Sequence, residues 1–264
     1  MKKFGFLFPV ILFLLFSMAG TRLFASGALN PTMLLGAMAI FFVVMLLLRP
    51  KNNKPKPLSD VEKLVRGDFA KDAFADDPKR SAKFQAIVRD YSNNCPKAAL
   101  SKLEKFAPTC TAPEERYAVA MISAQCYISV GKFKPAIQEY TRALGLHPSS
   151  ETAVSLGSCQ QRMGQLTKAI DSYEFALDLD EKNLDARCKL ATALVADGNY
   201  HAALDQASLA LDQDPKLSSA LATCAICYGM LDDAIMRKHY TRLAVENGYD
   251  EKKINDTVAA LKKR

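Results

Sequence analysis

The first 57 residues contain neither aspartate nor glutamate, although Lys2, Lys3, Arg22, Arg49, Lys51, Lys54 and Lys56 lie among them. The formal net charge of +7 therefore resides entirely in that stretch, and the 28 basic and 28 acidic residues of 58–264 cancel. A nucleic-acid-binding domain needs a clustered excess of Lys and Arg. No such excess shows in 58–264, which argues against a nucleic-acid partner. Also missing are a Gly-rich phosphate loop, an H-E-x-x-H helix and a G-x-S-x-G elbow, the motifs that would announce nucleotide, zinc-protease or serine-hydrolase chemistry. The chain reads as a non-enzyme that needs no cofactor. Beyond Leu58 there is no strand-like alternation either.

Two long uncharged runs occupy the acid-free stretch. Phe4–Thr21 and Thr32–Leu48 hold 18 and 17 residues, about 27 and 25 Å as helices at 1.5 Å per residue, close to the roughly 30 Å of a bilayer core. Arg22–Pro31, with Ser26, Gly27, Asn30 and Pro31, suits a tight connection, so the pair reads as a transmembrane hairpin. Basic residues precede the first run and follow the second, while the loop carries only Arg22. The positive-inside bias then puts both ends in the cytoplasm. Lys2-Lys3, the apolar run and Ser17-Met18-Ala19 also read as a signal peptide cut after Ala19; the second run and its basic flank would still leave the remainder cytoplasmic at the cell membrane. Lys51–Pro57 (KNNKPKP) is a polar spacer, kept extended by its prolines and able to rest on anionic headgroups.

From Leu58 on, apolar residues recur at three- and four-residue spacings broken by Gly, Asn-Asn, Asp-Pro and His-Pro turns, the signature of short amphipathic helices. The segments GKFKPAIQEYTRALGLHP (131–148), GQLTKAIDSYEFALDLDE (164–181) and GNYHAALDQASLALDQDP (198–215) align. Gly131, Gly164 and Gly198 are 33 and 34 residues apart. Ala136, Ala169 and Ala203 follow five residues after each, and Ala143, Ala176 and Ala210 twelve after.

This pattern resembles the tetratricopeptide repeat (TPR), a 34-residue helix–turn–helix. The family's small residue at position 8 appears as Ala124, Gly157, Ala191 and Ala225, and its aromatic at position 24 as Tyr140 and Tyr173, giving way to Ala207 in the third repeat. In the fourth, Asp232 stands where the turn Gly belongs. The resemblance implies an all-α fold, an α-solenoid of helix–turn–helix repeats carrying N-terminal transmembrane helices. The expected organisation is a membrane anchor and basic linker over 1–57, a divergent helical region over 58–113, about four repeats over 114–249 and a capping helix over 250–264. Lys83–Phe106 reads as one divergent unit. A single repeat cannot bury its apolar face alone, so stacking is obligatory.

The Cys224-Ala225-Ile226-Cys227 spacing raises a zinc half-site or a redox dithiol. On the repeat frame Cys126, Cys159 and Cys227 all fall at position 10 of a first helix, where the third repeat has Ala193. A thiol interchangeable with alanine behaves as a small packing residue. A zinc site needs four converging ligands, and no second C-x-x-C or His-x-x-His supplies them. Packing is the preferred reading; a metal- or thiol-dependent regulator built on Cys224 and Cys227 stays as the alternative.

The resemblance further implies a concave groove lined by positions 2, 5, 9, 12 and 13 of the first helices. The candidate lining is Met121, Gln125 and Ile128; Val154, Gln161 and Arg162; Cys188, Thr192 and Val195; Ile226 and Met230. It reads as small, apolar and lightly charged. Met121, Gln125 and Asp185 stand where a carboxylate-clamping groove has Lys or Asn, and only Lys189 matches in charge. The expected partner is therefore a protein, presented as a peptide or an amphipathic helix, met by a scaffold tethered to the lipid bilayer. A structural role through self-association, using Gly36, Ala37 and Ala39 for close helix packing, is the remaining reading and would make a homo-oligomer.

Overall fold

The punctuation of the sequence dictates where each helix starts. Asp77, Ser149, Asn183, Asn199, Asp233 and Asp250 each accept a backbone N–H from the first turn of the helix that follows, at 2.9–3.3 Å. Such side chains satisfy donors that the helix itself leaves unpaired. Pro78, Pro96 and Pro113 open three helices, where a missing N–H costs nothing. The structure, a computed structural model, describes residues 73–263. The two apolar runs, the basic linker, residues 58–72 and Arg264 lie outside the described residues.

Eleven α-helices follow among those residues. They are α1 (Pro78–Ser92), α2 (Pro96–Phe106), α3 (Pro113–Ser129), α4 (Phe133–Leu146), α5 (Ser150–Arg162) and α6 (Leu166–Leu179). Then come α7 (Leu184–Asp197), α8 (Tyr200–Gln213), α9 (Ser218–Met230), α10 (Ala234–Glu246) and α11 (Glu251–Leu261). A short 3-10 turn, Ala107–Thr109, joins α2 to α3. There is no strand among the described residues, and none of their helices is long and apolar enough to cross a membrane.

The turns inside the helix pairs share one backbone device. Gly131, Gly164 and Gly198 have φ of +73°, +73° and +86°, the left-handed conformation that glycine adopts without a Cβ penalty. Asp232 has φ of +56° at the equivalent place and Asn94 has +60° between α1 and α2. Asp and Asn tolerate this region better than other non-glycine residues. The missing turn glycine of the fourth repeat is thus a change of residue and not of geometry. The same holds for the divergent first pair.

Each pair packs antiparallel and then stacks on the next. First helices also touch first helices, α5 on α7, α7 on α9 and α9 on α11. Successive second helices do not approach to that degree among the described residues. The first helices therefore form the inner layer of the solenoid and the second helices the outer one. Small residues permit the close approach: Ala124, Ala136, Ala143, Ala169, Ala176, Ala203, Ala210, Ala225 and Ala244 are all fully buried. At Gly157 an added Cβ would sit 2.7 Å from Tyr173 Cε1 and 3.1 Å from the Ala169 carbonyl oxygen. Any side chain there collides with α6. The last helix, α11, closes the array by burying Ile254 and Val258, and Lys262 Nζ reaches Asp232 at 2.6 Å. That lysine holds the Asp232 carboxyl below its usual range.

Candidate functional site

The inner face divides sharply by burial. Met121 is fully buried, and Val154, Val195 and Ile226 are 5%, 6% and 8% exposed. Met121 Sδ accepts a weak hydrogen bond from Thr152 Oγ1 at 3.6 Å, across to the next repeat. Ile226 and Val258 belong to one buried cluster, because α11 packs over the end of α9. These four apolar side chains are the mortar between successive first helices, so they offer little surface to a partner. The apolar groove expected from the sequence is corrected here: Met121, Val154, Val195 and Ile226 lie beneath the surface, and Ile128 and Met230 keep partial access.

What remains accessible is mostly polar. Gln125, Ile128, Gln161, Cys188 and Met230 are half-buried, and Arg162 and Thr192 are exposed, as are Ser129, Glu151, Asp185 and Ser219. Hydroxyls on this face fold back onto their own helix. Ser129, Ser158 and Thr192 each donate to the carbonyl four residues earlier at 2.9 Å. Lys189, the one match to a carboxylate clamp, is engaged by Asp185 at 2.6 Å. Its charge is shared within its own helix, and no carboxylate clamp is assembled. Arg162 places its guanidinium 5.4 Å over the Phe133 ring.

A feature that the sequence reading missed links core to groove. Tyr140 and Tyr173, fully buried in α4 and α6, push their hydroxyls through to the inner face. Gln125 Nε2 donates to Tyr140 Oη at 2.6 Å, and Tyr173 Oη donates to Gln161 Oε1 at 3.0 Å and Ser158 Oγ at 3.3 Å. Burial pushes both phenols above their ordinary titration range. They act as fixed neutral struts orienting the amides of Gln125 and Gln161. The signal was present, since Gln125–Tyr140 and Ser158–Tyr173 share a spacing of 15 residues. The third repeat, with Ala207, has no such strut.

Cys126, Cys159, Cys224 and Cys227 are packing residues, whereas Cys95 is exposed and Cys188 half-buried. Cys126, Cys224 and Cys227 are fully buried and Cys159 nearly so. Cys224 nests with Ala191 and Ala207, while Cys227 lies in the main cluster of the second half. Burial pushes the thiols of Cys126, Cys224 and Cys227 up to about 12 and that of Cys159 up to about 11. All four are protonated at neutral pH, the opposite of the thiolate that metal binding or disulfide exchange needs.

A profile of the tetratricopeptide repeat matches residues 150–183, the α5–α6 pair with its flanks. Solved structures of tetratricopeptide proteins superpose on the array. MamA from Desulfovibrio magneticus does so with a TM-score of 0.57 at 17% identity, over 64% of this chain and 95% of that one. YrrB, described as a TPR protein with an unusual peptide-binding site, gives 0.56 at 18% identity, over 79% of this chain and all of that one. One helix pair thus matches the tetratricopeptide repeat, and the described helices share the fold of the superposed structures. Curated relatives match over shorter stretches. The CTR9 homolog of Arabidopsis thaliana is 40% identical over 58 residues, and bacteriophage adsorption protein A of Escherichia coli is 27% identical over 129. Those matches span 5% and 13% of the relatives' own lengths. The array thus shares its fold with the superposed structures.

Proposed function

We propose that this chain is a membrane-tethered TPR scaffold that holds a protein partner at the cytoplasmic face, and that it has no catalytic role. The observation that carries the reading is the inner face itself. Gln125 and Gln161, oriented by Tyr140 and Tyr173, present amide groups above a floor of buried apolar side chains. Amides can donate to and accept from a peptide backbone at once, so an extended peptide suits this surface better than the apolar side of an amphipathic helix. The tetratricopeptide fold, and a similar structure described as peptide-binding, support a peptide partner. The tether is read from Phe4–Thr21 and Thr32–Leu48. It would raise the groove's local concentration around membrane partners, so that modest affinity suffices.

The test is capture from solubilised membranes containing the full-length chain. Thr192→Arg with Ser129→Arg alters two exposed positions of the inner face. Phe175→Arg alters an exposed residue of an outer helix, 42% accessible. The expected result is a partner lost with the inner-face variant and kept with Phe175→Arg, at unchanged helical content. The reverse pattern moves binding to the outer layer and overturns the groove reading.

A further inference from the structure

The charge balance of 58–264 hides a local excess. Between Pro78 and Phe106 stand Lys79, Arg80, Lys83, Arg89, Lys97, Lys102 and Lys105 against only Asp90 and Glu104. The α5–α6 pair, in contrast, carries Arg162 and Lys168 against Glu151, Asp171, Glu174 and Asp178. The first helix pair is therefore cationic, as is 234–264 with eight basic residues against four acidic ones, while the repeats between them are acidic.

That excess surrounds a cleft. A cavity of about 560 Å³ opens between α1 and α2, floored by Ala86, Ile87 and Phe106 and rimmed by Arg80, Lys83, Lys102 and Lys105. Two of the four cations are spoken for. Arg80 is held by Glu115 at 2.6 and 2.9 Å and by the Thr109 carbonyl at 2.7 Å, and Lys102 meets Asp90 at 2.6 Å. Lys83 and Lys105 are exposed and make no ion pair among the described residues. The fixed pairs line the cleft, and the two lysines left without an ion pair line it from different helices.

We infer that the α1–α2 cleft takes the phosphate of an anionic lipid headgroup, docking the first helix pair on the membrane. Lys83 and Lys105 meet the phosphate, while Ile87 and Phe106, 2% and 7% exposed, stay in the core beneath it. The cleft is sized for one headgroup and not for a nucleic-acid strand. Its place in the chain decides the source of the phosphate: α1 begins 21 residues after Pro57, separated from the acid-free stretch and its basic linker only by residues 58–77, which hold six acidic and three basic residues. A tether of that length keeps an anionic surface at high local concentration, and each basic side chain near such a surface gains attraction that salt weakens. The inference rests on the membrane-tethered reading, and it would aim the groove by fixing the first pair against the bilayer.

The experiment uses the full-length chain in lipid nanodiscs of phosphatidylcholine alone or with one-third phosphatidylglycerol. Lysines are acylated with a water-soluble amine reagent and quantified by mass spectrometry. The expected result is a fall of about fivefold in the acylation rates of Lys83 and Lys105 in the anionic discs. Lys134 and Lys168, exposed on later repeats, serve as references and keep their rates. The protection should vanish at Lys105 in Lys83→Glu and at Lys83 in Lys105→Glu. Equal rates in both discs, with the chain fully incorporated, overturn the cleft and leave the tether standing. A chain that enters neither disc stably but binds anionic discs with both lysines protected sinks the tether and keeps the cleft. Glycerol phosphate in neutral discs, or an oligonucleotide, giving the protection that anionic discs do not, overturns the lipid as its source.

Discussion

In the α5–α6 pair the space between first and second helix is filled from within: Gly157 makes room and the Tyr173 ring occupies it. In the α7–α8 pair both positions are alanine, Ala191 and Ala207, and the filling comes from the next repeat. Cys224 nests against the two alanines, with Leu204, Leu211, Tyr228 and Tyr240 packed around them. Tyr228 and Tyr240 stack with ring centroids 5.5 Å apart. One fold thus solves the same packing problem twice, by a large–small pair inside a repeat and by a shared cluster between repeats. The first solution makes the repeat self-sufficient and passes a hydroxyl to the groove. The second ties α7–α8 to α9–α10 and leaves its stretch of groove without a strut.

The largest effects come from forcing one solution on the other. Tyr173→Ala removes a fully buried ring and should cost about 3–5 kcal/mol. Gly157→Ala alone drives a Cβ into that ring and into the Ala169 carbonyl, costing about 1–3 kcal/mol by overpacking. Together they install the alanine pair of the third repeat in the second. The double variant should then be less destabilised than the sum by about 0.5–3 kcal/mol. Urea denaturation of the solubilised chain, followed by helical signal, measures the cycle. Strict additivity would show that Gly157 and Tyr173 do not share a space, and the comparison would collapse.

The contrast explains what was legible in the sequence. Gly131, Gly164, Gly198 and the alanines are set by local rules, positive φ and close approach, so their recurrence disclosed the all-α repeats and their register. Asp232 and Asn94 were harder, since a left-handed residue that is not glycine leaves only a weak trace. The groove was read by position alone, which cannot tell Met121, sealed beneath Thr152, from Gln125, which reaches the surface. Burial depends on how tightly neighbouring repeats stack, a property of pairs 31–35 residues apart. The Arg80–Glu115 pair, joining α1 to α3 over 35 residues, was silent for the same reason. The cationic cleft was lost by averaging charge over all of 58–264, where residues 58–77 and the middle repeats cancel it.

A second way to sharpen the comparison is alkaline pH, because the shared cluster relies on a titratable filler. The Cys224 and Cys227 thiols stay protonated in the fold up to about 12, whereas an unfolded chain ionises them near their ordinary value of about 9. Above that value the native state binds more protons than the unfolded one, so stability falls as pH rises. The contribution is fully present below about 9 and is lost through about 12. Each thiol should lower the folding constant about tenfold per pH unit across that window. Denaturation midpoints at pH 7.5 and 10.5 for wild type and Cys224→Ala measure it. The variant should lose about 1 kcal/mol at neutral pH, as a small buried side chain does, and show an alkaline slope smaller by one proton. An unchanged slope would mean that Cys224 is already ionisable in the fold.

The smallest effect separates stability from binding. Tyr173→Phe keeps the ring and deletes only the hydroxyl that orients Gln161 and Ser158; Tyr140→Phe does the same beside Gln125. Each should cost about 1 kcal/mol or less, the net worth of a partly solvated hydrogen bond, because water can reach the freed amide at the groove surface. If the struts exist to aim the amides, the partner recovered by capture should bind several-fold more weakly to both variants. Cys224→Ala costs similar stability but touches no groove amide, and it should leave that affinity unchanged. Equal losses for all three would make the tyrosine hydroxyls mere core polarity that happens to emerge on the inner face. A loss confined to the two Tyr→Phe variants would assign recognition to the first two strong repeats, where core packing and groove geometry share the same side chains, and would free the third repeat from any demand but stacking.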